Sequence, residues 1–405
     1  MNRDLKFDVG GVLLQRPFRV RRLGHFGLFT NRMEAAKHFY CDLMGFQISD
    51  PVNLAPRATR PGQLDGMGDT NVYFTRYGTD HHSFVLFPRD VFESVGAKFP
   101  PRVNINQITW QVGSLKEVVV ANQWFNDNEI PTHRSGRDTP GSNWHSYMRD
   151  PDGNTNELFY GIEQIGWDGK SKPSEMYERG FNVTPPLPQM AEYQEVDDFS
   201  GRGVDLASGY RHRETAPFKY EIGGIMLPRP FKVTAIGPVR LFVTDMAKSV
   251  DFYTNYLGFV ISEEVVWRGH RCVFLRANTE HHLIALYPDA LRDELGISHK
   301  SFMLSFGLRL NDYRQLKNAI GYLKENSGQI HHLPPELFPG MDYNAFAVDP
   351  DGQLIQLYSY MEQIGWDGRP RPADQRRRVA EGEWPDAIEP LSDYVQGEQF
   401  FGPWE

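Results

Sequence analysis

The chain has 405 residues, enough for two domains that each bury a core, and its 40% hydrophobic, 23% charged and 13% aromatic residues are those of an ordinary folded protein. A net charge of -9 argues against nucleic acid or an anionic membrane as the main partner. Two cysteines, Cys41 and Cys272, exclude a disulfide framework and fit a cytoplasmic protein, and neither an apolar leader after Met1 nor a run of about 18 apolar residues is present.

Residues 23–29 (Leu-Gly-His-Phe-Gly-Leu-Phe) read as a strand. A helix follows with Ala35, Ala36, Phe39, Tyr40 and Leu43 on one face and Gly45 past its end. Strands are expected near 46–49, 71–76 and 82–87. The pattern then restarts: a strand at 105–112, a helix at 115–126, and strands near 132, 144–149 and 155–160. The last two flank Asp150-Pro151-Asp152-Gly153-Asn154, a tight-turn sequence, so they form a hairpin. Alternation puts His145 and Tyr147 on one face of its first strand, and Thr155, Glu157 and Phe159 on one face of its second. A carboxylate between Leu158 and Phe159 is costly to bury unless a metal or a donor holds it, so Glu157 is read as a metal ligand.

The same plan returns further along. Gly11-Val12-Leu13-Leu14-Gln15-Arg16-Pro17-Phe18 recurs as Gly224-Ile225-Met226-Leu227-Pro228-Arg229-Pro230-Phe231, Asp80-His81-His82 as Glu280-His281-His282, and Glu163–Gly169 unchanged as Glu362–Gly368. The expected organisation is a domain over 1–185, a linker or arm over 186–221, a second domain over 222–385 and a tail over 386–405. The fold class is α+β: four strand-helix-three-strand modules paired into two open-barrel domains. The arginine run at 376–378 reads as solvated, and the tail aromatics Phe400, Phe401 and Trp404 as packing on the chain itself.

This plan, with Gly153–Gly161 and the His81-His82 pair, resembles the vicinal oxygen chelate superfamily and within it the type I extradiol ring-cleaving dioxygenases of the catechol 2,3-dioxygenase kind. The resemblance implies metal ligands on the first strand of each module and on a last strand, here His25, Gln107 and Glu157; the dioxygenases carry histidine where Gln107 stands. It makes His82 the acid/base histidine and Tyr147 the active-site tyrosine. A further pocket histidine of the family aligns with Asp138, and His145 is expected to line the same pocket. In the second copy these positions hold Pro238, Ser305, Phe346 and Gln356, so that copy is expected to be structural. The family's two-domain enzymes carry the metal in their second domain, so the order here is reversed.

The implied activity is cleavage of a catechol-like diol with O₂ on Fe(II), with Mn, Ni or Zn as alternative ions. An imidazole near its ordinary pKa of about 6.5 suits the proton transfers, which is the role given to His82. Glyoxalase-type members use a glutamine ligand, so a metal-dependent lyase or isomerase is a second expectation. A metal-free protein that binds an aromatic compound, as bleomycin-resistance members do, is a third. The expected partners are a small aromatic substrate and O₂, with assembly as a homo-oligomer.

Overall fold

The computed structural model describes residues 6–137, 141, 143–166, 168–177, 185–377, 379 and 383–388. A small hairpin opens the described chain, β1 (Phe7–Val9) with β2 (Val12–Leu14). The first large sheet is built from β3 (Arg22–Thr30), β4 (Gln47–Asn53), β5 (Asn71–Arg76), β6 (Phe84–Pro88), β7 (Ile105–Gln111), β8 (Arg134–Arg137), β9 (Trp144–Arg149) and β10 (Thr155–Tyr160). Their spatial order is β4-β5-β6-β3-β7-β10-β9-β8, with β3 parallel to β6, β7 parallel to β10, and β3 antiparallel to β7. The order is symmetric about the β3–β7 pair because each module folds its three later strands outward from its first.

Alternation decides what each face does. On one face Phe26, Leu28, Ile108, Trp110, Met148 and Leu158 join a core that also takes in Phe39, Tyr40 and Phe125 from the helices. On the other face stand His25, Gln107, Thr109, Tyr147 and Glu157. A bulge sets this face at the centre of the sheet, where Leu23 pairs with Trp110 but His25, not Gly24, pairs with Thr109. A Cβ on Gly24 would lie 2.1 Å from the Phe159 ring, so the extra residue has to be glycine.

The plan repeats with the hairpin β11 (Tyr220–Ile222) and β12 (Ile225–Leu227), then β13 (Val233–Val243), β14 (Val260–Trp267), β15 (His270–Arg276), β16 (Ile284–Pro288), β17 (Met303–Leu310), β18 (Ile330–His331), β19 (Asn344–Val348) and β20 (Leu354–Tyr358). The second sheet has the same order, β14-β15-β16-β13-β17-β20-β19-β18. The two halves share one core, with Phe26 stacked on Phe306 at 4.1 Å between ring centres.

Their contact is reciprocal. Tyr40 donates to Asp349 (2.8 Å) and its counterpart Tyr253 donates to Asp150 (3.0 Å). Arg16, just past the first hairpin, donates to the Thr254 carbonyl, and its counterpart Arg229 donates to the carbonyls of Cys41 and Asp42. Asp150 and Asp349 each begin an Asp-Pro-Asp-Gly turn and also accept the backbone N–H groups that close it.

The stretch between the copies is more than a linker. It contains a helix, Glu192–Gly201, and it packs back on the first half: Glu195 pairs with Arg137 (2.6 Å) and with Lys172 (3.4 Å), and His212 accepts the Ile48 N–H. Arg376 is not solvated as expected, since Glu263 holds it at 2.7 Å and only 9% of its side chain is exposed. Arg378 and the tail aromatics lie outside the described residues. Cys41 and Cys272 are free buried thiols, and burial pushes each up to about 12. No helix among the described residues is long and apolar enough to cross a membrane.

Candidate active site

Strand pairing lays a row of residues straight across the first sheet. Arg134 on β8 pairs with Tyr147 on β9, Tyr147 with Glu157 on β10, Glu157 with Thr109 on β7, and Thr109 with His25 on β3. Directly paired residues share a face, so all five side chains rise from the same side. The next row holds Arg149, Thr155, Gln107 and Gly27.

Glu157 and His25 are wholly buried and meet, Nε2 to Oε2, at 3.1 Å. Thr109 Oγ1 donates to the same carboxylate oxygen (2.8 Å), and Asn143 Nδ2 donates to the other (2.8 Å). Burial alone would raise the Glu157 carboxyl, but His25 beside it, then His145 and the Thr109 hydroxyl, hold it below its ordinary value. The group is an anion in a dry site.

His82 lies against His25, with ring centres 4.4 Å apart. Its Nδ1 is 3.1 Å from His81 Nδ1, and His81 Nε2 is 2.7 Å from Asp50 Oδ2. A carboxylate can only accept, so His81 donates from Nε2 and receives at Nδ1. His82 therefore carries its proton on Nδ1, and its Nε2 is a bare lone pair. Burial first, then His25 and His81, push the His82 imidazole well below its ordinary range and keep it neutral.

A cavity of about 350 Å³ opens above these groups. His25, His82, Gln107, Asn143 and Tyr147 are among its lining residues, and Phe29, Phe74, Phe87, Phe92 and Phe99 give it apolar walls. The Gln107 amide makes no hydrogen bond among the described residues and lies one row from His25. His145 is wholly buried, 4.6 Å from the Tyr147 ring, and is not one of the lining residues. Asp138 lies outside the described residues. Thr109 and Asn143 went unnoticed in the sequence; Thr109 stands two positions from Gln107 and so shares its strand face, whereas Asn143 precedes β9 and carries no such signal.

Two ligands bound side by side to one ion at about 2.1 Å stand about 3.0 Å apart. The His25–Glu157 pair has that spacing, and an anionic carboxylate, an imidazole and an unengaged amide fit a divalent cation. Among the described residues no three His, Cys, Asp or Glu side chains are placed to hold a metal ion together, and the third candidate here is an amide. One feature departs from the usual ligand histidine: His25 Nδ1 is buried without a hydrogen-bond partner among the described residues, and the ring is held by packing on Phe159 and His82 instead.

The second half carries different groups at the equivalent positions. Arg240, in register with Gly27, is wholly buried and donates to Gln356 and to His282 Nε2 (3.0 Å). Gln356 and His282 are the counterparts of Glu157 and His82, so a guanidinium occupies the equivalent position. The same relay lies behind it, His282 to His281 at 3.0 Å and His281 to Glu263 at 2.9 Å. Arginine has no acceptor, so His282 Nε2 must be bare, which is the tautomer assigned to His82. Where the first half has its cavity, the second has a solid core that includes Phe242, Tyr287, Leu337, Phe338 and Phe346.

The family model described as Glyoxalase/Bleomycin resistance protein/Dioxygenase superfamily matches residues 22–158 and 235–357. A curated relative, the 2,2',3-trihydroxybiphenyl dioxygenase of Sphingomonas paucimobilis, is 36% identical over 125 residues, which are 31% of this chain and 41% of that protein. Among solved structures, the Mn(II)-bound glyoxalase from Novosphingobium aromaticivorans is 18% identical, with 86% of this chain and 85% of that chain covered and a TM-score of 0.52. The homoprotocatechuate 2,3-dioxygenase from Arthrobacter globiformis is 15% identical, with 89% and 87% covered and a TM-score of 0.55. At these identities the likeness is one of fold.

Proposed function

Because the chain belongs to the Glyoxalase/Bleomycin resistance protein/Dioxygenase superfamily, we propose that its first half is a metal-dependent extradiol dioxygenase that opens the ring of an aromatic diol with O₂. The observation that carries this reading is the dry, anionic Glu157 at 3.1 Å from His25, beside an imidazole held as a proton acceptor at the foot of an aromatic-walled cavity. His25 and Glu157 would hold the ion, with Gln107 as third ligand. When bound, a ferrous ion supplies adjacent positions for a diol and O₂ and a path for electrons between them.

The chain's own groups do the rest. The phenylalanine walls bury the substrate ring and exclude water. His82 Nε2 takes a proton from a diol hydroxyl, and the His81–Asp50 chain behind it stabilises the imidazolium that forms. His82 would later return that proton to an oxygen atom supplied by O₂, and both oxygen atoms stay in the ring-opened product. Tyr147, beside Glu157 in the row, orients the bound oxygen by hydrogen bonding. The relative named above is a dioxygenase for a hydroxylated biphenyl, which fits an aromatic cavity. The buried thiols fit a cytoplasmic setting, and a homo-oligomer remains part of the reading.

Protein loaded with Fe(II) under anaerobic conditions is expected to consume O₂ with a catechol and give a coloured ring-fission product. No uptake across a broad panel of diols would contradict the assignment. Gln107 favours one alternative, a glyoxalase-type isomerase or lyase, which would turn over a carbonyl substrate without O₂. Protein that retains no metal and still binds an aromatic compound would point to sequestration.

A further inference from the structure

The cavity has a charge that the rest of the molecule does not predict. The chain carries 52 acidic against 43 basic residues, yet among the described residues Arg57, Lys98, Arg134 and Arg149 line this cavity and no aspartate or glutamate does. Arg134 stands in the row of Tyr147 and Glu157, two strands or about 10 Å from the Glu157 backbone. Arg149 pairs with Thr155 and so lies diagonally across from Glu157, about 7–8 Å away. Arg134 also rests on the Tyr147 ring, at 5.5 Å. Neither Lys98 nor Arg149 makes an ion pair among the described residues. The positive field is felt nearby: burial first, then Arg149 and Arg134, lower the His133 imidazole, another lining residue.

The second half is an internal control. Opposite Phe346, the counterpart of Tyr147, stands His331 where the first half has Arg134. Val348 pairs with Leu354 where the first half pairs Arg149 with Thr155. The sheet does not need these cations to fold, and the half with a packed core at this place lacks them.

We propose that the substrate is an aromatic diol bearing an anionic substituent, a carboxylate, which Arg134 and Arg149 receive while the two hydroxyls lie toward His25, Glu157 and His82. This rests on the cavity being the diol site proposed above. Cations at the exposed rim of a pocket favour such an anion twice over, by steering its approach and by pairing with it once it is bound.

The test measures equilibrium binding to metal-loaded protein without O₂, so turnover is not needed. Calorimetric titrations compare 2,3- and 3,4-dihydroxybenzoate with catechol and 4-methylcatechol at low and high salt. A carboxylated diol is expected to bind about 10-fold or more tightly than the neutral ones at low salt, with the advantage shrinking as salt rises. The double variant Arg134→Gln/Arg149→Gln is expected to keep its metal and lose that preference. Equal affinity for charged and neutral diols, or a preference that survives the double substitution, would overturn this inference and leave the diol site standing. Failure of every diol to bind would overturn both.

Discussion

Glu157 is wholly buried, yet an imidazole, a hydroxyl and an amide converge on its carboxylate and favour the anion. Gln356 at the repeat position shows that the sheet does not require that charge, and we propose that a bound metal ion does. His82 is the other residue with a defined state: its proton sits on Nδ1 and its Nε2 is open. His82→Ala should leave the metal in place and slow turnover by about 10²–10⁴-fold, as read from metal content and kcat; unchanged kcat would remove His82 from the mechanism. Asp50→Asn should give a smaller loss, since it frees the tautomer without removing the base. Burial, His25 and His81 depress the His82 pKa, so its neutral form persists as pH falls through the ordinary histidine range. The free enzyme should therefore lose no kcat/KM to His82 protonation between pH 8 and 6. A fall with a midpoint near 6.5 that His82→Ala abolishes would contradict this.

At the level of elements, residues 71–76, 144–149 and 155–160 form strands with the bounds expected from alternation, and the restart at 105 is where the second module begins. Those strands are legible because a half-buried strand writes its two faces into the sequence. The helix at Glu192–Gly201 was not legible, since its polar face outweighs Phe199 and the salt bridges that dock it are long-range. Arg240 was visible opposite Gly27, but where its side chain goes depends on a core formed by strands far away in the chain. The reciprocal turns carry a testable property. Burial raises the carboxyls of Asp150 and Asp349 to about 6 despite their hydrogen bonds. A carboxyl raised above its unfolded value of about 3.9 contributes stability that is complete below that value and lost as pH rises through the folded one. The titration of these two carboxyls should therefore add to Tm as pH falls from 7.5 to 5, and the double variant Asp150→Asn/Asp349→Asn should lack that contribution. Parallel Tm curves for the two would show that these carboxyls do not titrate there.

For the whole molecule, one fold appears twice with opposite contents: a cavity above an anionic pair in the first half, a packed core around a guanidinium in the second. The shared core and the exchanged tyrosines make the second half a scaffold against which the first is held. Arg240→Met would strand His282 Nε2 and the Gln356 carbonyl as buried acceptors, at about 1–3 kcal/mol each. The midpoint of chemical unfolding should drop, while metal content and turnover stay as they were. Loss of metal from that variant would mean that the second half, too, takes part in binding. We propose that Glu157 and His25 together hold a divalent ion. Metal analysis of protein purified without oxygen tests it most directly: about one ion per chain is expected in the unaltered protein and almost none in Glu157→Gln, the substitution that copies the second half. Equal metal content in the two proteins would contradict the claim.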